Sequence, residues 1–200
     1  MAFGSLGILL TARAAEPIVL HVNTFPTARS LPFYVGVDRG FFAKRGLKVE
    51  LEFTESSQRQ RQGLADGSVD IVHSAVDNAV AMIDVAKDDV VIVSGGDAGT
   101  NEFYVHAYVK DFADIRGKAI VVDATNTAYA LQAKKILGQH GLRADADYTL
   151  NPAGNGQRRL KALFADPNNA GAILNLPYSL EAAAKGLRSL GRTTDMLGPY

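Results

Sequence analysis

Residues 58–75, QRQRQGLADGSVDIVHSA, contain a polar helical pattern that ends at Asp66-Gly67 and continues into a short apolar segment. Residues 156–177, GQRRLKALFADPNNAGAILNLP, repeat the same order further along the chain. Glycine commonly follows the last residue of a helix, and short runs rich in β-branched residues favour strands. The repeated helix and strand predict a chain that contains two lobes of one design.

The segments on either side of this repeat extend the pattern. Strands are predicted in the first half at 18–25, 47–53, 69–75 and 90–96, and in the second half at 118–125, 147–152 and 170–177. Residues 101–112, NEFYVHAYVKDF, are predicted to form a connecting strand. Strands that alternate with helices favour a mostly parallel sheet covered on both faces. We therefore expect an α/β fold with two similar three-layer αβα lobes, joined by a hinge at GGDAGT, residues 95–100.

The two halves define the expected domains. Lobe I comprises residues 16–98, with residues 191–200 returning to it, and lobe II comprises residues 99–190. Residues 1–15 are predicted to be a signal peptide. An apolar run too short to span a bilayer precedes Ala12-Arg13-Ala14 there, a pattern that signal peptidases cleave. We therefore expect export as a soluble protein that begins near Ala15.

The composition excludes several classes of function. Lys+Arg and Asp+Glu both number 21, so the chain has no net charge to attract nucleic acid, and it contains no cysteine for disulfides, thiolate nucleophiles or Cys-type metal sites. The histidines show no metal-ligand spacing, and no phosphate-binding or nucleophile motif is present. We expect a monomer without a metal, a cofactor, a nucleic-acid partner or a catalytic residue.

Candidate ligand-binding residues lie where a strand ends and the next helix begins. Ligands bind beyond the carboxyl ends of the strands in open α/β sheets, and helix N-termini favour anionic groups. Each Ser, Thr or Asn at such a place is also an ordinary helix cap. The candidates are Thr24, Phe25, Pro26, Thr54, Ser56, Ser74, Ala75, Asn78, Thr125, Asn126, Thr127, Asn155, Gly156, Asn175, Pro177 and Tyr178.

Four arginines lie on the equivalent helices of the two lobes: Arg59, Arg61, Arg158 and Arg159. Their positions on polar helices indicate solvent-facing charges. One near the helix start could reach an anionic ligand, because guanidinium groups bind oxyanions through paired hydrogen bonds.

Residues 30–53, SLPFYVGVDRGFFAKRGLKVELEF, resemble a segment of the periplasmic substrate-binding proteins of ABC importers, in the branch that handles nitrate, sulfonates, taurine and thiamine-pyrimidine precursors. The positions that match the family's pattern are Leu31, Pro32, Tyr34, Gly40, Phe41, Phe42, Gly46, Leu47 and Val49. Three further segments are similar to elements of that family: 63–75, GLADGSVDIVHSA; 112–122, FADIRGKAIVV; and 174–182, LNLPYSLEA. The resemblance covers residues 18–190.

This resemblance implies a type II periplasmic binding fold that closes on a small organic or anionic solute and delivers it to a membrane permease. Family members are usually longer, so we expect the first lobe to be incomplete at its C-terminal side. Relatives often carry Trp where this chain has Asn175-Leu176, which implies a weaker aromatic wall. The alternative is a pyrimidine-precursor synthase of the same fold. That enzyme needs a reactive histidine, for which His73 is placed, and a lysine that binds pyridoxal phosphate, for which no lysine stands out.

Overall fold

The computed structural model describes residues 15–96 and 99–198. The predicted signal peptide up to residue 14 and the centre of the predicted hinge, Asp97-Ala98, lie outside the described residues. Within the described ranges, no helix has the length and apolar character needed to cross a membrane.

The first half forms a small parallel sheet. Its strands are β1 (Ile18–Thr24), β2 (Leu47–Phe53) and β3 (Ile71–His73), in the order β2-β1-β3. Its helices are α1 (Leu31–Asp38), α2 (Ser57–Asp66) and α3 (Val76–Val80), and α3 continues as a π-helix over Ala81–Ala86. Ser56 caps α2 through a hydrogen bond from the Arg59 amide, and Gly67 ends that helix in a left-handed conformation.

The second half forms a larger mixed sheet in the order β6-β5-β7-β4-β8. The strands are β4 (Glu102–Val105), β5 (Ala119–Val122), β6 (Thr149–Pro152), β7 (Asn169–Leu174) and β8 (Arg188–Arg192). Strands β5, β6 and β7 are parallel, and β4 runs antiparallel to β7 and β8. The helices are α4 (Ala128–Gln139), α5 (Gly156–Ala165), α6 (Tyr178–Ala184) and α7 (Thr193–Leu197). The predicted connecting strand therefore lies inside the second sheet as β4.

The main hydrophobic core surrounds the second sheet. Alternate residues of its strands face opposite sides, so Phe103 and Ile120 pack with α4 on one face, and Val121 and Leu174 pack with α5 and α6 on the other. The expectation of an α/β fold with helices on both faces is confirmed for this half. Around the first sheet, the buried apolar side chains among the described residues are far fewer: Val22, Val69 and Met82.

Two predicted elements differ in the structure. Residues 90–96 do not form the expected strand, and Val91 and Val93 are 77% and 78% exposed. The Val90 amide donates to the Asp88 carbonyl, so the chain turns locally and gains none of the pairing with a neighbour that a strand requires. Residues 191–198 do not return to the first lobe, because β8 pairs with β4 and Met196 and Leu197 pack against the core of the second sheet.

Candidate functional site

The carboxyl ends of the strands in the two sheets face each other. The end of β1 meets the end of β7, the end of β2 meets the loop after β6, and the start of α3 after β3 meets the start of α4 after β5. Each sheet therefore contributes its loop tips and helix starts to one shared interface, which we call the cleft. Such edges are where open α/β sheets bind ligands.

Two hydrogen bonds close the cleft between β1 and β7. The Tyr178 hydroxyl donates to the Pro26 carbonyl at 3.0 Å. The Ala28 amide donates to the Leu176 carbonyl at 3.1 Å. Three of the four bonding groups belong to the backbone, and the fourth is the Tyr178 hydroxyl.

Two charged contacts cross the cleft beside them. Arg158 on α5 forms an ion pair with Glu55, which follows β2, and both side chains are more than half exposed. Asp77 on α3 accepts a hydrogen bond from the Ala128 amide at 3.0 Å, so a carboxylate of one lobe caps α4 of the other. The ion pair is weak because it is solvated, whereas the cap is half-buried.

Most of the predicted polar residues of lobe I bond within that lobe. The Thr24 hydroxyl lies 2.8 Å from the Ser30 hydroxyl and 3.1 Å from His73 Nδ1. The Asn78 amide donates to Ser74 and accepts from Arg61. Thr54 and Ser56 complete the turn before α2, Phe25 is half-buried, and Ala75 is exposed at the start of α3. Of the lobe I candidates, Pro26 makes a hydrogen bond that crosses the cleft.

In lobe II, the predicted residues divide between helix caps and cleft contacts. Thr127 donates to Asp123 beside the start of α4, and Asn155 caps α5 by accepting from the Arg158 amide. Thr125, Asn126 and Pro177 are exposed. Gly156 lies beneath the Tyr178 ring, where a Cβ would be 2.3 Å from Cδ2. Asn175 is 2% exposed, and its amide nitrogen donates to the Tyr129 hydroxyl at 2.9 Å.

Arg159 is a buried cation at the cleft. It was predicted to face solvent, but it is 2% exposed. Its Cζ lies 4.1 Å from the centroid of the Tyr129 ring, and Nη1 donates to the Gly154 carbonyl at 2.9 Å. The reason is the helical period: Gly156, Arg159, Leu160 and Leu163 share the buried face of α5. The prediction of solvent exposure was therefore wrong for Arg159.

Three residues of the cleft were not identified from the sequence. Asp77 and Tyr129 were not among the candidate residues, and Arg159 was interpreted as a surface charge. The i, i+3, i+4, i+7 spacing on α5 could have identified Arg159, since it places that residue in one stripe with two leucines. The role of Asp77 depends on contact between the lobes, which no local pattern contains.

A cavity of about 380 Å³ adjoins the cleft between α2 and α3. Arg61, Asp77 and Met82 line it from lobe I, and Asn126 reaches it from lobe II. Residues of both lobes therefore line this cavity.

The Asp77 carboxyl has an altered affinity for protons. Burial raises its pKa above the ordinary value, and the neighbouring Asp123 carboxylate raises it as well. The hydrogen bond from the Ala128 amide and the charge of Arg61 act in the opposite direction without cancelling the increase. Burial also raises the pKa of the Tyr178 hydroxyl, although Arg159 opposes this, so Tyr178 is a neutral donor at neutral pH.

We expect Asp77→Asn to be more stable than the wild type near neutral pH. Ionisation of the half-buried Asp77 carboxyl lowers the stability of the wild type as the pH rises. Because the pKa of Asp77 is raised on folding, its contribution to stability is fully present below the ordinary Asp pKa and is lost as the pH rises through the raised value. The variant should exceed the wild type in free energy of unfolding near pH 7, and this advantage should shrink as the pH falls towards 4. Urea denaturation across this range measures it. Asp38→Asn, at an exposed carboxylate, should not reproduce the change.

Solved structures with the same fold include two solute-binding proteins and a protein in complex with methylphosphonate. The periplasmic nitrate-binding protein NrtA from Synechocystis PCC 6803 superposes with a TM-score of 0.80 at 13% identity, over 92% of this chain and 54% of that one. The alkanesulfonate-binding protein SsuA from Xanthomonas axonopodis pv. citri, bound to MOPS, gives 0.72 at 19% identity, over 90% and 62%. PhnD1 from Prochlorococcus marinus, in complex with methylphosphonate, gives 0.63 at 12% identity, over 91% and 80%.

The chain spans 54% to 62% of the length of the first two of these proteins. Their identities to this chain are low, so the superpositions establish the type II periplasmic binding fold that the sequence predicted. No curated protein sequence gives a significant match. The family model described as NMT1/THI5 like, however, matches residues 27–172. The resemblance to importer binding proteins is thereby confirmed, and the chain belongs to the NMT1/THI5-like family.

Proposed function

We propose that the chain is the soluble, periplasmic substrate-binding component of an ABC-type importer. It captures a small organic or anionic solute between its two lobes and delivers it to a membrane permease. The observation that carries this proposal is the cleft itself, where the strand ends of both sheets meet through Pro26, Tyr178, Asp77 and the start of α4. The solved relatives bind nitrate, an alkanesulfonate or methylphosphonate, which supports a solute of similar size.

The contacts across the cleft suit a reversible closure. They are few, and each joins one residue of lobe I to one residue of lobe II. A solute that contacts both lobes adds to these bonds and shifts the population towards the closed form, because a ligand stabilises the state that it binds better. The closed form then differs in shape from the open one, and a permease can recognise that difference.

The proposal predicts that one member of a defined panel stabilises the chain. The panel is nitrate, ethanesulfonate, methylphosphonate, taurine and a neutral aminopyrimidine. A solute at a hundred times its Kd adds about 2.7 kcal/mol to the free energy of unfolding. For a chain of this size, that corresponds to a rise in melting temperature of roughly 5–10 °C. Thermal denaturation with each panel member measures the rise.

Two outcomes of this measurement contradict the proposed substrate-binding function. One is the absence of a shift with every panel member. The other is a shift with pyridoxal phosphate alone, accompanied by the absorbance of an aldimine, because this would indicate the synthase-like enzyme. Lysozyme carried through the same series controls for general effects of the salts on protein stability.

A further inference from the structure

We propose that Arg159 is the residue that binds the acidic group of the solute, through the guanidinium edge formed by Nε and Nη2. This proposal rests on the proposed function, which it makes more specific. It assigns the chemical class of the solute: an oxyanion with at least two oxygens on one side, such as a carboxylate, sulfonate or phosphonate.

The first support is the unused edge of the guanidinium. Nη1 is occupied by the Gly154 carbonyl, whereas Nε is buried and has no hydrogen-bond partner in the described part of the chain. Nη2 likewise makes no hydrogen bond to a described residue. Nε and Nη2 are neighbouring parallel donors, and this geometry fits two oxygens of one acidic group.

The second support is the missing counter-charge. Within residues 15–96 and 99–198, no carboxylate lies within 4.0 Å of the Arg159 guanidinium, although the residue is 2% exposed. The Tyr129 ring, 4.1 Å from Cζ, compensates for part of the lost hydration through a cation–π contact. The acidic residues of the cleft are engaged elsewhere, Glu55 with Arg158 and Asp77 with the Ala128 amide. A buried cation without a partner is costly, so a bound oxyanion would stabilise it.

The third support is location. Burial raises the pKa of the Tyr178 hydroxyl and the positive charge of Arg159 opposes this increase, and the hydroxyl donates a hydrogen bond to Pro26 of lobe I. Gly154, which accepts from Arg159, lies beside the Glu55 carbonyl, 4.0 Å from where its Cβ would be. Two residues close to Arg159 therefore approach the opposite lobe. A solute held at this position reaches both lobes.

Asn175 adds a second polar group to the subsite. Its amide nitrogen donates to the Tyr129 hydroxyl, and its side-chain oxygen is buried without a partner. Tyr129 thus contacts both Arg159 and Asn175 and fixes their separation. A solute that carries a hydrogen-bond donor next to its acidic group would satisfy both unpartnered atoms.

The test compares Arg159 with an exposed arginine of the other lobe. Arg59 lies near the start of α2, and its side chain is 72% exposed and pairs with Glu52. Calorimetric titrations with ethanesulfonate, methylphosphonate, nitrate, acetate and a neutral aminopyrimidine are made on the full chain and on three variants: Arg159→Gln, Arg159→Lys and Arg59→Gln. The wild type should bind at least one oxyanion. Arg159→Gln should lower that affinity by about 30-fold or more.

The other variants separate charge from geometry. Arg159→Lys retains the positive charge but loses the paired donors, so we expect a loss of about 10-fold. Arg59→Gln should stay within about twofold of the wild type, because exposed ion pairs contribute little. Circular dichroism checks that each variant is folded. If Arg159→Gln does not fold, the ratio of the wild-type affinity to that of Arg159→Lys tests the inference instead.

The outcomes distinguish this inference from the proposed function. If the wild type binds an oxyanion and neither Arg159 variant loses affinity, the inference about Arg159 is wrong and the proposed function is unaffected. The same holds if the wild type binds the neutral aminopyrimidine and no oxyanion. Absence of binding to every probe overturns both. The order of affinity among ethanesulfonate, methylphosphonate, nitrate and acetate identifies which oxyanion the subsite accepts.

Discussion

Replacing Phe103 with alanine should lower the free energy of unfolding by about 3–5 kcal/mol, as expected for removal of a fully buried aromatic ring. Phe103 is 0% exposed on β4, an interior strand of the second sheet, and its ring packs edge-on against Phe112 with the centroids 5.4 Å apart. Few neighbours can move into the space, because β4 is paired on both sides. Urea denaturation followed by circular dichroism measures the effect.

Phe41→Ala provides the matched control. The Phe41 side chain is 48% exposed in the turn after α1, so its loss should cost less than about 1 kcal/mol. If the two variants are destabilised equally, the main core does not surround the second sheet. A loss of solute affinity in Phe103→Ala beyond what unfolding explains would also be unexpected, because Phe103 makes no contact across the cleft.

Gly156→Ala should weaken solute binding by about 10-fold or more, the scale of losing well-positioned contacts at a buried interface. A Cβ on Gly156 would be 2.3 Å from Cδ2 and 2.6 Å from Cε2 of Tyr178, so the ring must move. The Tyr178 hydroxyl then leaves the Pro26 carbonyl, and one of the bonds that close the cleft is lost. Affinity is measured with the panel solute that raises the melting temperature most.

A change in the free protein should accompany the loss of affinity. Hydrogen exchange of the Ala28 amide should accelerate in Gly156→Ala, because its bond to the Leu176 carbonyl lies beside the displaced ring. Gly138→Ala is the control, since a Cβ there meets open space on α4, and both affinity and exchange should match the wild type. Unchanged affinity in Gly156→Ala would show that Tyr178 takes no part in closure.

The repeated helix and strand were enough to predict an α/β fold with two halves. The alternation of helix and strand around residues 58–75 and 156–177 indicated two α/β halves. The glycine expected after the first of these helices, Gly67, ends α2 in the structure. Local patterns succeed here because helix caps, helix ends and apolar periodicity act within a few residues. Residues 90–96 show the limit: an apolar β-branched run favours a strand, but a strand also needs a neighbour to pair with.

The site was harder to predict because it is made of contacts between distant residues. Strand-end logic selected Pro26, Asn175 and Tyr178, which the structure places at the cleft. The same logic selected Thr24 and Asn78, whose side chains bond inside lobe I, because a polar residue at a strand end serves equally well as a cap or a turn. Arg158 and Arg159 illustrate the difficulty: they are neighbours on α5, yet Arg158 is exposed and Arg159 is buried.

A crystal structure of the chain with the solute that raises its melting temperature most tests the central claim directly. We expect the solute between the ends of β1, β2 and β3 and those of β5, β6 and β7, touching residues of both lobes and lying against Arg159. A solute bound on one lobe alone, or away from the ends of these strands, would contradict the claim that the facing strand ends form the binding site.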